Sequence, residues 1–284
     1  MDKQITVPTW YYQHFGADYA LDVPAEGFGG WKKADLPLSS GSGGDAGHTA
    51  LCVMHAWDCP DRAKVPGIYS AVEYLPRAAE ILENDMPALL KAFRDAGMQV
   101  IHIENGDYVR KYDNYKRTMK LLKGKLPKAG ELPWEKTLSR PPQDATSKAL
   151  AAFRTAHVHP GTENIADIDA ACKIRDIHSA ARPLSGEYMV TQSDELHAVC
   201  ARHGINHLIY AGFAVNYCLL MSPGGMLDMS RRGFLCSVVK DATTAVENDF
   251  SARDELAKQL ALWNVALSFG FVYERDDLIR RLAL

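Results

Sequence analysis

Short apolar runs alternate with helical patterns from Thr49 onward, and this alternation limits the chain to few folds. Ala50-Leu-Cys-Val-Met54 is apolar on every residue, as expected of a strand buried on both faces. Five further strand segments are expected: Met98–Ile103, Glu187–Thr191, Ile205–Tyr210, Phe234–Val239 and Val265–Val272. Between them, apolar positions at helical spacing run from Leu75 to Ala96, stopping at Gly97. Ser193 to Arg202 reads as a helix with Ser193 as its cap, and Asp249 to Trp263 as another, with a short helix at the C-terminus. Six strands alternating with helices predict one parallel sheet, covered on both faces through right-handed crossovers.

The chain has 284 residues with 47% hydrophobic content, enough to bury a large core. Residues 1–48 read as an irregular N-terminal arm, rich in Gly, Pro and Ser between Gly27 and Gly47. The arm carries Trp10, Tyr11, Tyr12, Phe15 and Trp31, too many aromatics for a disordered tail. It is expected to pack on its own domain or on a neighbouring subunit, which suits a homo-oligomer. Residues 49–284 form the main domain, with a polar, basic insertion at 105–145.

A net charge of −3 offers no general field for nucleic acid or for an anionic membrane. The Tyr and Lys/Arg residues interleaved in the insertion do not outweigh that balance. No apolar run reaches the roughly 18 residues that span a bilayer, and Met1–Pro8 lacks the apolar core of a signal peptide. Six Cys without CxxC pairing suit free thiols in a reducing compartment. A cytoplasmic protein acting on a small molecule is expected, with no nucleic-acid or membrane partner. No cofactor is called for.

Ligands in such sheets sit beyond the carboxyl ends of the strands. His55, Glu104, Gln192, Ala214 and Cys218 all fall there. Tyr210-Ala-Gly-Phe-Ala-Val-Asn-Tyr-Cys218 reads as strand, turn and a cysteine where a helix begins. A thiol at a helix N-terminus meets unpaired N–H groups that favour its thiolate and can stabilise an oxyanion. A buried, inert cysteine is the plainer alternative.

Gly212-Phe-Ala-Val-Asn-Tyr-Cys218 resembles the Gly-x-Ala-Thr-x-x-Cys turn of the isochorismatase-like cysteine hydrolase superfamily, which includes nicotinamidases and N-carbamoylsarcosine amidohydrolases. Gly233-Phe-Leu-Cys-Ser-Val-Val-Lys-Asp241-Ala resembles a second segment of that family. The resemblance implies a six-stranded sheet in order 3-2-1-4-5-6, a cis bond at Phe213–Ala214 and a Cys–Asp–Lys triad. The chain departs from that triad. His55 stands where the Asp should be, in Cys52-Val-Met-His-Ala-Trp57, and Gln192 replaces the Lys in Met189-Val-Thr-Gln-Ser. The Phe-containing loop that usually follows the Lys is missing, and Ser222-Pro-Gly-Gly225 interrupts the helix after Cys218.

Losing one acid and one base together conserves the charge balance. The expected catalytic set is therefore Cys218 as nucleophile, His55 as base and Gln192 as amide donor to the substrate oxygen. Phe213, Ala214, Asn216, Tyr217, Glu104, Trp57 and Asp58 are assigned to substrate or oxyanion contacts. Rates should fall as pH drops through the imidazole's ordinary range. A metal set from Asp58, His102, His157 and His159 is weighed, and no metal is assigned. Two function classes fit: hydrolysis of a small amide or ureide, or a catalytically silent relative that binds a small carbonyl ligand or serves in assembly.

Overall fold

Every residue of Thr49–Met54 is buried, and so is every residue of His207–Gly212, because these two strands lie side by side at the centre of one sheet. The structure, a computed structural model, describes residues 3–13, 17–18, 23–24, 30–40, 47–58, 60–123 and 144–283. The strands in chain order are β1 (Lys3–Gln13), β2 (Ala17–Asp18), β3 (Val23–Pro24), β4 (Gly30–Ser40) and β5 (Thr49–Met54). They continue with β6 (Gln99–Ile103), β7 (Tyr188–Val190), β8 (His207–Gly212), β9 (Leu235–Thr243) and β10 (Val272–Tyr273). The main sheet has eight strands in the order β4-β1-β10-β9-β8-β5-β6-β7, while β2 and β3 pair separately.

Strands β7-β6-β5-β8-β9-β10 are mutually parallel and follow the expected order. The sheet as a whole is mixed, which corrects the six-stranded, all-parallel expectation. The irregular reading of residues 1–48 is corrected by the same observation where the residues are described, at Lys3–Gln13 and Gly30–Ser40. Lys3–Gln13 and Gly30–Ser40 pair antiparallel along their length, and Thr9 and Trp10 of β1 pair with Tyr273 and Val272 of β10. The physical reason is alternation: Val7 and Thr9 are buried while Pro8 between them is not, and Leu38, paired with Ile5, is buried on β4. Pro8 lies just outside the short pairing with β10, where a missing N–H does no harm. Lys33 and Lys240 reach Glu274 at 2.7 and 2.6 Å, and Trp10 donates its Nε1–H to the same carboxylate at 3.1 Å. This links the hairpin to the end of β10.

Three other boundaries differ from expectation. The helix expected over 75–96 is two, Leu75–Asn84 and Met86–Asp95, since Pro87 can open a helix but not continue one. The strand expected at 265–272 is mostly helix: Leu256–Ser268 carries Ala261, Leu262 and Val265 on its buried face, and only Val272–Tyr273 is strand. Within the 105–145 insertion, Asp113–Leu122 is a helix belonging to the core, where Thr118 is buried and donates to the Met189 carbonyl at 2.6 Å. Residues 124–143, Gly41–Ala46 and Cys59 lie outside the described residues. No helix among the described residues is long and apolar enough to cross a membrane.

Candidate active site

Three adjacent strand ends build the site. His55 follows β5, Glu104 follows β6 and Gln192 lies two residues beyond β7. The parallel register that pairs Met54 with Ile103 puts His55 and Glu104 side by side. The His55 N–H continues the ladder to the Ile103 carbonyl at 3.0 Å, and the Glu104 N–H reaches Val190 at 2.9 Å. These ends open into a cavity of about 310 Å³, lined among others by His55, Glu104, Thr191, Gln192, Ser222 and Pro223. The structure thus brings His55, Glu104 and Gln192 together. Cys218 opens the short helix Cys218–Met221, whose far end leads into the Ser222–Pro223 wall, but it is not itself among the lining residues. One turn of helix has little macrodipole, which weakens the helix-start argument made from sequence.

His55 is buried and has a positive φ of 53°, a conformation few residues with side chains adopt. Its ring stacks on Trp57 with centroids 4.7 Å apart, and its Nδ1 has no partner among the described residues. Burial, with a smaller contribution from the Arg175 charge, lowers its pKa to about 3. His55 therefore stays neutral through the imidazole's ordinary range, and the expected acid limb there is corrected.

Trp57, assigned to the substrate from sequence, is occupied by the protein. It donates its Nε1–H to Glu104 Oε2 at 2.8 Å, and the Arg175 guanidinium sits 4.0 Å from its ring centroid. Tyr108 donates to the same Glu104 oxygen at 2.6 Å. Glu104 is buried, and burial raises its pKa to about 7 despite those two hydrogen bonds, the Ala56 backbone N–H and the Arg175 charge. Asp58 lies apart: with Trp57 and Arg175 it lines a smaller neighbouring cavity of about 60 Å³.

Around the cysteine, the Phe213–Ala214 peptide is cis. Phe213 is buried, its ring near Tyr74, and its N–H donates to Met54 O at 3.1 Å. The Ala214 carbonyl accepts from the Tyr217 and Leu219 N–H groups, both at 3.1 Å. Among the described residues, no protein acceptor takes the N–H of Ala214 or of Cys218. Tyr217 is exposed.

Asn216, given a substrate role from sequence, has its amide engaged by the protein. Its amide nitrogen donates to Val246 O and its amide oxygen accepts from Val246 N, each at 2.8 Å. Asn216 therefore clamps the turn to the segment after β9. Asn216→Ala should destabilise the protein by about 1–3 kcal/mol, because it strands both Val246 groups. Urea denaturation should show a lower midpoint with an unchanged slope.

The candidate metal residues are not assembled. His102 is buried on β6 and bonds Glu187 through Nε2 at 3.0 Å, while His157 and His159 are exposed at the end of the helix Ala145–His157. Sequence reasoning passed over Tyr108, Thr191 and Arg175. Tyr108 sits four residues beyond Glu104, a spacing that could have marked it, whereas nothing local points to Arg175.

The family model for the isochorismatase domain matches residues 65–277. The chain belongs to the isochorismatase family. The match includes Glu104, Gln192 and Cys218 but begins after His55. Similar solved structures include a cysteine hydrolase from Pseudomonas syringae pv. phaseolicola 1448A, with 18% identity over 83% of this chain and 92% of that one, at a TM-score of 0.43. Another is N-carbamoylsarcosine amidase from Thermoplasma acidophilum, with 14% identity over 81% and 97% of the chains and a TM-score of 0.38. A third is pyrazinamidase/nicotinamidase from Streptococcus mutans UA159, with 15% identity over 79% and 99% and a TM-score of 0.36. Likenesses this distant say nothing about site chemistry. No curated protein matches the sequence.

Proposed function

We propose that this isochorismatase-family chain hydrolyses the C–N bond of a small amide or ureide through Cys218, with His55 and Gln192 in place of the family's Asp and Lys. The observation that carries the reading is the shared cavity of His55, Glu104 and Gln192, one wall of which continues from the Cys218 helix. In this reading the sulfur attacks the carbonyl carbon and His55, kept neutral but made a weaker base by burial, takes the thiol proton. The Ala214 and Cys218 N–H groups and the Gln192 amide meet the oxygen as it gains charge. The C–N bond then breaks, and the amine leaves with the proton from His55. Water hydrolyses the thioester, giving the acid and restoring the thiol.

Cys218→Ser should lower turnover by at least about 10³-fold on a panel of small amides and ureides. Unchanged turnover in that variant would remove Cys218 from the mechanism. The second reading, a silent relative that binds a small carbonyl ligand, is favoured by one observation: Cys218 is not among the residues lining the cavity. Inert wild-type protein that still binds a small amide would establish it.

A further inference from the structure

We propose that Glu104 is the hydrogen-bond donor that selects a neutral amide or urea carbonyl in this cavity, with one carboxyl oxygen fixed by Trp57 and Tyr108 and the other reserved for the ligand. The inference rests on the cavity being the substrate pocket, as proposed above, but not on Cys218 being reactive. Two buried polar atoms of the lining residues lack partners among the described residues: Glu104 Oε1 and His55 Nδ1. Buried polar atoms are almost always satisfied, so two left without partners on residues that line one cavity point to a ligand that completes them. Glu104 Oε2 is already taken, by Trp57 Nε1–H at 2.8 Å and Tyr108 O–H at 2.6 Å. With two donors on Oε2, a proton on the carboxyl group belongs on Oε1.

The surroundings favour that protonated form. At the β5 end stand His55, neutral, and Trp57, which holds no charge. The β7 end gives Thr191 and Gln192, where the family has a cation. The 3-10 segment Asp107–Lys111 contributes Tyr108, together with Asp107 and Arg110, which are exposed and paired with each other at 3.3 Å. Arg175 is the remaining cation, and its guanidinium is engaged by the Trp57 ring and by Asn105 Oδ1 at 3.0 Å. No cation touches Glu104 among the described residues. Burial prevails over the donors and Arg175, and the carboxyl titrates at about 7. Below that pH it donates to a carbonyl oxygen, a geometry an anionic carboxylate at this place cannot supply.

Two measurements on the full chain test this. Carbon-13 NMR of Glu side chains should show one carboxyl titrating near pH 7 that disappears in Glu104→Gln. Tyr108→Phe should move its midpoint upward, since that hydroxyl favours the ionised form. A carboxyl at Glu104 titrating in the ordinary carboxylate range overturns the proposal. In the Cys218→Ser variant, benzamide binding should weaken about tenfold per pH unit above the Glu104 midpoint. Glu104→Gln, which retains a donor but cannot ionise, should bind benzamide with the same affinity from pH 5 to 9. Binding of benzamide to Cys218→Ser that is flat with pH, or absent at pH 5, also overturns it. Because Cys218 is already removed, pH-dependent binding would stand even where wild-type turnover proves absent, so the two readings fail separately.

Discussion

Gly212→Ala should leave little or no folded protein. Gly212 closes β8 with a φ of +118°, and a Cβ built there would lie 1.9 Å from the Met54 carbonyl oxygen. The obstacle is backbone of the central strand β5, fixed from both sides. Met54 O accepts the Phe213 N–H at 3.1 Å, and the Gly212 carbonyl accepts Thr243 Oγ1 at 2.7 Å. Neither strand can withdraw without opening the sheet beside the cysteine turn. The expected loss exceeds about 4 kcal/mol, a large fraction of a typical domain's stability. Gly97→Ala is the control, with a φ of +70° and nothing within 4 Å of the added Cβ. It carries only the left-handed backbone penalty of about 1–2 kcal/mol. Circular dichroism and urea denaturation of the two purified variants separate the cases. A Gly212→Ala protein as stable as Gly97→Ala would refute the steric account.

The parallel part of this sheet is legible in the sequence because a strand buried on both faces needs apolar residues at every position, as in Thr49–Met54 and His207–Gly212. The same rule misled at 265–272, where a continuous apolar run is divided between the end of a helix and a two-residue strand. Gly270 marks the division, since a Cβ there would meet Cys236 O at 2.5 Å, but that constraint is tertiary. The β1–β4 hairpin escaped because its prolines and glycines resemble those of a loop, while the alternation of Ile5, Val7 and Thr9 needs a partner strand to become meaningful. In the site, His55, Glu104 and Gln192 could be located because strand ends converge in this topology. Their chemistry could not be read that way. The imidazole's neutrality and the carboxyl's raised pKa come from burial, from Tyr108 and Trp57, and from Arg175, which lies far along the chain. Asn216 shows the converse, since a polar residue in a catalytic-looking turn serves the backbone of Val246.

Glu187→Ala should destabilise the protein by about 3–5 kcal/mol at neutral pH, the range for breaking a buried charge cluster by removing one member. Glu187 precedes β7 and ties together elements that are remote in sequence. Its carboxylate accepts Arg94 Nε at 2.6 Å and Nη2 at 3.0 Å, His102 Nε2 at 3.0 Å and the Leu184 N–H at 2.8 Å. Arg94 belongs to the helix Met86–Asp95 and His102 to β6, so the truncation leaves a cation and two N–H donors without their acceptor. Burial opposes the negative charge, yet the His102 and Arg94 hydrogen bonds prevail and hold the carboxyl at about 2, below its ordinary 4.5. The folded pKa lies below the unfolded one, so the contribution is complete above about 4.5 and disappears as pH falls towards 2. His102 adds in the same direction. Burial lowers its pKa, so unfolding takes up a proton once pH falls below the imidazole's ordinary 6.5. Wild-type stability should therefore decline on the acid side in two stages. The cost of Glu187→Ala should be largest near neutrality and shrink as pH approaches 3. Urea midpoints for both proteins between pH 3 and 7 test this. Acid limbs that run parallel would show that the cluster does not bear the charge described here.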